Sequence, residues 1–441
     1  MTETPKHPDG KAVPTRRLSR LAGLGGMAAG VAGNMIAGGA KQLASGKRPR
    51  AADLLLTPSN ARKLTTQLAN MRGAAMKIGQ MISMDSGDFL PKELSDILAR
   101  LRSDAQHMPR AQLDTVLKSE WDYGWQMKFA TFDYRPMAAA SIGQVQRAKL
   151  FSGEELAIKV QYPGVKESID SDVNNVAGLL KMSGLLPPHM DVSPIIEEGR
   201  IQLHQEADYV REAAYLTRFG ALLAADDDFI VPTHFPEFST ERILAMSYIE
   251  SVAIEDMAEA EQAVRDHIME RLITLTLREL FEFQIMQTDP NFANYRYETD
   301  GERLVLLDFG ASRDISDSLA DGYKRLLKTV LDADTEQTLV VATDIGLLPK
   351  DMTPAARAAV LEIIDMAVES LRRDAPFDFG QNTVALDMRE KGMALAADRD
   401  LWHVPPAEKV FIQRKFGGIY LLATRLRARV NVHSLIRDFV G

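Results

Sequence analysis

Asp289, Asn294 and Asp308 are the residues whose types and spacing can do chemistry. They stand in Met286-Gln287-Thr288-Asp289-Pro290-Asn291-Phe292-Ala293-Asn294 and in Leu306-Leu307-Asp308-Phe309-Gly310. A carboxylate and a carboxamide lie five residues apart, and an apolar run then ends in an Asp-Phe-Gly turn. Asp289 suits a polarising or basic carboxylate. Asn294 and Asp308 offer hard oxygen ligands. Two such ligands plus phosphate oxygens suit Mg2+, which keeps several waters and needs few protein groups. Tyr295-Arg296-Tyr297 and Leu304 to Leu307 read as two strands, with Asp300-Gly301 as the hairpin signal between them. Asp-Phe-Gly alone is a common strand-to-turn sequence, and Asp-x-x-x-x-Asn alone is weaker still. Joined by a hairpin of this length, they point to a nucleotide site holding ATP or ADP.

That spacing is the one protein kinases use for a catalytic-loop Asp, a metal-binding Asn and a downstream metal carboxylate. Such a site needs a lysine for the phosphates and a glutamate to hold it. Glu155 to Gln161 reads as a strand carrying Leu156-Ala157-Ile158-Lys159. It follows a strand at Gln126 to Tyr134, a small-residue turn at Pro136 to Val145 and a strand at Gln146 to Phe151. A lysine turned inward from an apolar strand is expensive unless it is paired. The alternative is an edge-strand lysine that reaches solvent. The partner is expected on a helix from Ile195 to Leu223. There Asp208 and Glu212 are four apart and share a face, with Glu206 roughly opposite. Glu212 is the expected partner of Lys159, and Asp208 faces the nucleotide or another cation. The alternative is an exposed acidic face. The intervening Tyr162 to Met190 reads as an inserted helical segment. Arg242 to Ile249 reads as a strand, and Ala245 to Glu250, including Met246 and Tyr248, would be the hinge whose backbone meets adenine. The part after the Asp308 hairpin reads as all helical.

Composition sets bounds. The chain has 441 residues, 46% of them hydrophobic, which is ample for two lobes and extensions. The net charge of −9 argues against a general nucleic-acid binder. There is no cysteine, so disulfides, thiolate metal sites and a cysteine nucleophile are excluded. The eight histidines form no His-x-x-x-His pair, which argues against a zinc enzyme.

The N-terminal part divides in three. Residues 1–18 are polar and rich in Pro and Lys, and read as disordered. Leu21 to Ala40 is small and apolar and contains Gly26-x-x-x-Gly30. It fits either a membrane-embedded helix with a small-residue packing face or a buried helix against the protein body. The basic residues around it (Arg16, Arg17, Arg20, Lys41, Lys47, Arg48, Arg50) suit an anionic lipid surface. Ala61 to Met84 has the apolar period of a helix, and Lys77 and Gln80 lie on one face of it. Pattern alone would leave both solvated. Pro91 to Arg102 and Arg110 to Trp121 read as two more helices.

Taken together, these residues resemble the UbiB/AarF family of atypical kinase-like proteins. Lys77-Ile78-Gly79-Gln80 matches the family's Lys-x-Gly-Gln motif, and Ala138-Ala139-Ala140-Ser141 its Ala-rich loop. Glu206-Ala207-Asp208 matches its Glu-x-Asp motif, and the Asp289 to Asn294 and Asp308-Phe309-Gly310 stretches its catalytic and metal motifs. The resemblance covers about residues 12 to 441. It implies an α+β, protein-kinase-like two-lobed fold with an N-terminal helical extension and a largely helical C-lobe. The expected divisions are 1–50 for the tail and small-residue helix, 51–122 for the extension, 123–250 for the N-lobe and 251–441 for the C-lobe.

The resemblance also implies ATP and Mg2+ as cofactors and a role in ubiquinone biosynthesis at a membrane. The Lys-x-Gly-Gln extension is expected to pack where a kinase would accept a protein, with Lys77 meeting the Glu206 and Asp208 carboxylates. No His-Arg precedes Asp289 and no Ala-Pro-Glu follows Gly310. Alanines in place of glycines remove backbone freedom near the phosphates. Slow ATP hydrolysis therefore fits best, with a small-molecule or protein kinase and an ATP-binding scaffold as rivals. The expected partners are the nucleotide, quinone-precursor lipids, ubiquinone-biosynthesis proteins and an anionic membrane surface, with a homodimer left open. The expected location is cytoplasmic, at the inner face of the cell membrane.

Overall fold

The computed structural model describes residues 73–74, 77–78, 107–183, 193–381 and 407–441. The expected disordered tail, the segment 21–40 and the helix expected at 91–102 lie outside the described residues, as does Gln80. So does most of the expected helix at 61–84, of which Gly73, Ala74, Lys77 and Ile78 are helical and buried. The chain divides into two compact units, one formed by residues up to Ala214 together with Thr233–Tyr248, the other by Tyr215–Pro232 and Ile249–Gly441.

The first unit is built on an antiparallel sheet. Helix α1 (Arg110–Trp121) leads into it, burying Leu113, Val116, Leu117 and Trp121 at helical spacing. The strands are β1 (Thr131–Phe132), β2 (Ala138–Ala139), β3 (Gly143–Lys149), β4 (Glu155–Gln161) and β6 (Ile243–Ser247). Their order is β1-β3-β4-β6, and β2 also pairs with β3. Val145 stands opposite Lys159, and Lys159 opposite Leu244. Leu156, Ile158 and Val160 point to one face, where they join Trp125, Phe129, Leu113 and Ile243 in the core. The period of two sends Ala157, Lys159 and Gln161 to the other face. That face meets α3 (Ser193–Glu206) and α4 (Tyr209–Leu222), with α2 (Val165–Ser183) inserted before them.

Two expectations change here. Gln126 to Tyr134 is not one strand. A 3-10 turn at Trp125–Lys128 follows Gly124, whose φ is 86°, and only Thr131–Phe132 is extended. The aromatic residues that mimic strand composition instead cluster around Trp125, with Phe132 at 4.7 Å and Phe129 at 6.3 Å between ring centres. Nor is Ile195 to Leu223 one helix. Gln161 Nε2 donates to the Ala207 carbonyl at 2.9 Å, and Asp208 Oδ1 accepts the Arg211 amide at 2.9 Å. Asp208 is thus a helix cap that starts α4 afresh. The expected shared helical face of Asp208 and Glu212, with Glu206 opposite, does not form.

The second unit centres on α5 (Gln262–Phe281), which buries nine side chains including Leu272, Leu275 and Glu279. Its main sheet runs β5-β10-β9-β7, with β5 (Phe229–Ile230), β7 (Val252–Ala253), β9 (Tyr295–Glu298) and β10 (Arg303–Leu306). The β9–β10 hairpin is the expected one. Its turn is four residues long, and the left-handed residue is Glu302 at φ 55° rather than Gly301. The stretch after Gly310 is not purely helical. β11 (Ser312–Asp314) pairs antiparallel with β8 (Ile285–Gln287), which brings the chain back beside the start of the Asp289 to Asn294 loop. β12 (Phe377–Asp378) pairs with β13 (Arg429–Val430). The helices described in this stretch are α6 (Asp317–Leu331), α7 (Thr335–Asp344), α8 (Pro354–Arg372), α9 (Ala407–Leu426) and α10 (Val432–Val440). Ser316, Asp334, Thr353 and Asn431 cap four of these at their N-termini. Among the described residues, no helix is long and apolar enough to cross a membrane.

Tyr323 sits in the core beside Leu280, Met286 and Ile412. Its hydroxyl has no hydrogen-bond partner among the described residues, and burial pushes its pKa above the usual phenol range. Tyr323→Phe removes a desolvated polar atom and keeps the ring. The expected result is unchanged stability or a gain of about 1 kcal/mol in urea unfolding. A clear loss would mean that an ordered water pairs with the hydroxyl.

Candidate nucleotide site

In the first unit, Lys159 Nζ donates to both Glu212 oxygens, at 2.8 and 2.9 Å. The side chains are 11% and 1% exposed, so the pair is desolvated. The Tyr209 ring lies 5.2 Å from the ammonium and adds a cation–π contact. An edge lysine reaching solvent is thereby excluded.

The Ala-rich loop is fixed from several sides. Ser141 Oγ donates to Glu206 Oε2 at 2.5 Å, and Lys77 Nζ lies 2.5 Å from Glu206 Oε1. Lys77 is only 2% exposed, which overturns the solvated reading. Glu206 therefore joins the helical extension to the loop. A Cβ on Gly73 would stand 3.0 Å from Ile142 Cγ2 and 3.3 Å from the Ser141 carbonyl, so the extension rests directly on the loop. Gln144, fully buried, accepts the Met108 amide at 2.8 Å. At Gly143 a Cβ would come within 2.4 Å of the Val160 carbonyl, so no larger residue fits there. Ala138 and Ala139 form β2 and are exposed, while Ala140 is half-buried. Lys77 meets Glu206, while Asp208 is occupied as the α4 cap.

Met246 pairs with Ala157, and the Tyr248 amide donates to the Glu155 carbonyl at 2.8 Å. That amide is committed to the sheet. The Arg147 guanidinium stacks on the Tyr248 ring at 4.1 Å.

In the second unit, the loop between β8 and β9 carries Asp289 and Asn294. Thr288 Oγ1 donates to the Ala311 carbonyl at 2.6 Å, tying the start of the loop to the turn after Asp308. Asn291 caps the 3-10 turn Phe292–Asn294. The Asn294 carboxamide nitrogen donates to the Asp289 carbonyl at 3.3 Å, which fixes its orientation and turns its oxygen away. The Leu307 amide donates to the Asn294 carbonyl at 3.0 Å, which holds Asn294 against the residue before Asp308. Asp308 Oδ1 accepts the Gly310 amide at 2.9 Å, closing the Asp-Phe-Gly turn. Phe309 is buried against Phe219, with ring centres 4.8 Å apart.

This donor set fits Mg2+. It offers one amide oxygen and one carboxylate, both hard. Among the described residues no group of three or more His, Cys, Asp or Glu could hold a metal alone. A divalent cation here would come with phosphate oxygens and waters completing its shell.

Behind the loop lies a feature that sequence reasoning missed. Lys415, on α9, is 1% exposed. Its Nζ lies 3.0 Å from Glu279 Oε2 and donates to Tyr295 Oη at 2.9 Å. Burial disfavours the ammonium, but Glu279 and Tyr295 outweigh that and hold its pKa above the usual lysine range. Only a Lys-Phe-Gly-Gly sequence marks the spot, and nothing in that pattern announces a buried charge.

A model of the ABC1 atypical kinase-like domain matches residues 100–342, more than half of the chain. The chain is 40% identical over 429 residues to the atypical kinase COQ8, mitochondrial, of Saccharomyces cerevisiae, covering 97% of this chain and 85% of the yeast protein. It is 37% identical over 432 residues to the atypical kinase COQ8B, mitochondrial, of Danio rerio, covering 97% and 69%. Among solved structures, the Rv3197–erythromycin complex from Mycobacterium tuberculosis superposes with a TM-score of 0.60 at 24% identity, covering 87% of this chain and 96% of that one. That likeness supports the α+β, kinase-like fold. The chain belongs to the UbiB/AarF family of atypical kinases, whose defining domain is the ABC1 kinase-like domain.

Proposed function

We propose that this chain is a Mg2+-dependent ATPase of the atypical-kinase type that supports ubiquinone biosynthesis, acting on membrane lipid intermediates or on the biosynthetic complex. The observation that carries this reading is the Glu206 junction. One carboxylate holds both the buried Lys77 of the extension and Ser141 of the Ala-rich loop. A loop pinned in this way is ill suited to open for a protein acceptor. The phosphoryl-transfer residues are nevertheless present, which disfavours a pure scaffold.

In this reading Lys159, held by Glu212, orients the α/β phosphates. Asn294 and Asp308 would hold the cation, which supplies charge neutralisation at phosphate oxygens when bound. Asp289 accepts a hydrogen bond from the attacking water or small-molecule hydroxyl and aligns it. Ala138 to Ser141 cover the phosphates, and Met246 and Tyr248 lie beside the base. The basic residues flanking 21–40 bring the chain to an anionic bilayer, on the cytoplasmic side of the cell membrane. The COQ8 relatives named above carry the designation mitochondrial.

The test is phosphate release from Mg·ATP, with and without anionic vesicles and a phenolic quinone-precursor analogue. Stimulation by vesicles and analogue together is expected. Turnover indifferent to both would sink the lipid reading. A second variant tests the loop. Ala139→Gly restores backbone freedom in β2 and should make the loop more kinase-like. Altered ADP and ATP affinity and increased autophosphorylation are expected. No change in either would show that the alanines do not restrain the loop.

A further inference from the structure

We infer that helix α9 is the template for the catalytic loop, and that Lys415, Glu279 and Gly418 are positioning residues for Asp289 and Asn294. Two sets of contacts, one built on charge and one on shape, converge on the same short loop. Lys415 donates to Tyr295, the residue directly after Asn294. Its partner Glu279 accepts the Gln287 amide at 3.4 Å, two residues before Asp289. One buried charge pair therefore reaches both ends of the loop. One turn along α9, Gly418 faces the middle of the loop. A Cβ there would stand 2.2 Å from Pro290 Cβ and 3.3 Å from the Pro290 carbonyl. Pro290 sits between Asp289 and Asn294, so the close approach of helix to loop sets where both side chains stand.

The network borders the metal ligands directly. Lys415, Glu279 and Gln287 line a small cavity with Asn294 and Asp308. Its free space is on the order of one water molecule. The Gln287 carboxamide, 5% exposed, has no partner on either atom among the described residues. Burying Lys415 and Glu279 gains little net stability over an apolar pair. What the pair supplies is directional: charge-assisted bonds of fixed length to both flanks of the loop.

The experiment uses the full chain and two variants. Gly418→Ala improves helix propensity, so it preserves α9 while pushing on Pro290. Glu279→Gln with Lys415→Met removes the tether without leaving a lone buried charge, and carries the test if Gly418→Ala does not fold. The first readout is hydrogen exchange. Exchange at the Thr288, Asn294 and Leu307 amides is expected to rise about tenfold in each variant, with β3 and β4 unchanged. The second readout is ADP affinity with Mg2+ and with EDTA. The Mg2+ enhancement is expected to fall about tenfold, with metal-free affinity unchanged. Exchange that is unaltered in the loop, or raised uniformly through the second unit, would overturn the inference. The second readout rests on the nucleotide reading above. If the unmodified protein shows no Mg2+ enhancement, that reading fails, and loop exchange still decides the role of α9.

Discussion

Asp308→Asn abolishes the Mg2+-dependent part of nucleotide binding. The substitution keeps an oxygen at the position that accepts the Gly310 amide, so the Asp-Phe-Gly turn survives. Phe309 stays buried against Phe219, and the hairpin between Asn294 and Asp308 keeps its register. What is lost is a negative charge where a divalent cation would sit. A carboxamide oxygen is a weaker ligand for Mg2+, and Asn294 already supplies one. Calorimetric titration with ADP should show Mg2+ strengthening binding to the unmodified protein and doing nothing for the variant. Metal-free affinity and the unfolding midpoint should be unchanged. Equal affinity of both proteins for Mg·ADP would remove Asp308 from the metal site.

Glu212→Ala lowers stability by about 3 kcal/mol, the lower end of what losing one partner of a buried pair costs. Lys159 donates to both Glu212 oxygens at 2.8 and 2.9 Å, and its side chain is 11% exposed. Without them the ammonium loses two charge-assisted bonds and keeps the Tyr209 ring at 5.2 Å. That ring is why the lower end is expected. Glu212→Gln should cost less, because the carboxamide oxygen still accepts one bond. In the proposed site Lys159 orients the phosphates, so nucleotide affinity is expected to fall in either variant as well. Urea unfolding measures the first effect. A loss below about 1 kcal/mol would place the pair in the class of solvated surface bridges, against its burial.

Much of this was legible in the sequence, for reasons that differ by element. β4 declared itself because Leu156, Ile158 and Val160 alternate with Ala157 and Lys159, and a period of two fixes the facing of every side chain. The β9–β10 hairpin was marked by its turn residues. The placement of Asn294 beside Asp308 follows from that register, with Leu306 opposite Tyr295. The break between α3 and α4 was not legible. Apolar periodicity runs across Ala207-Asp208, and the residue that ends α3 is Gln161, on a distant strand. The region around Trp125 misled for a related reason. Aromatic residues favour strands in general, yet here they gather into one cluster around a turn. Lys415 was invisible altogether. It lies 120 residues beyond Tyr295, and a lysine in a helical pattern reads as solvated until the fold shows what surrounds it.

The most direct test of the account follows the γ-phosphate of Mg·ATP labelled at that position. The full chain is incubated with anionic vesicles and a phenolic quinone-precursor analogue, and label is tracked in free phosphate, protein and the organic phase. Label is expected in free phosphate, dependent on Mg2+ and lost in Asp308→Asn. Label transferred to a protein or to the phenol would contradict hydrolysis and establish a kinase. Nucleotide binding with no release of label under any of these conditions would contradict turnover itself and leave an ATP-binding scaffold.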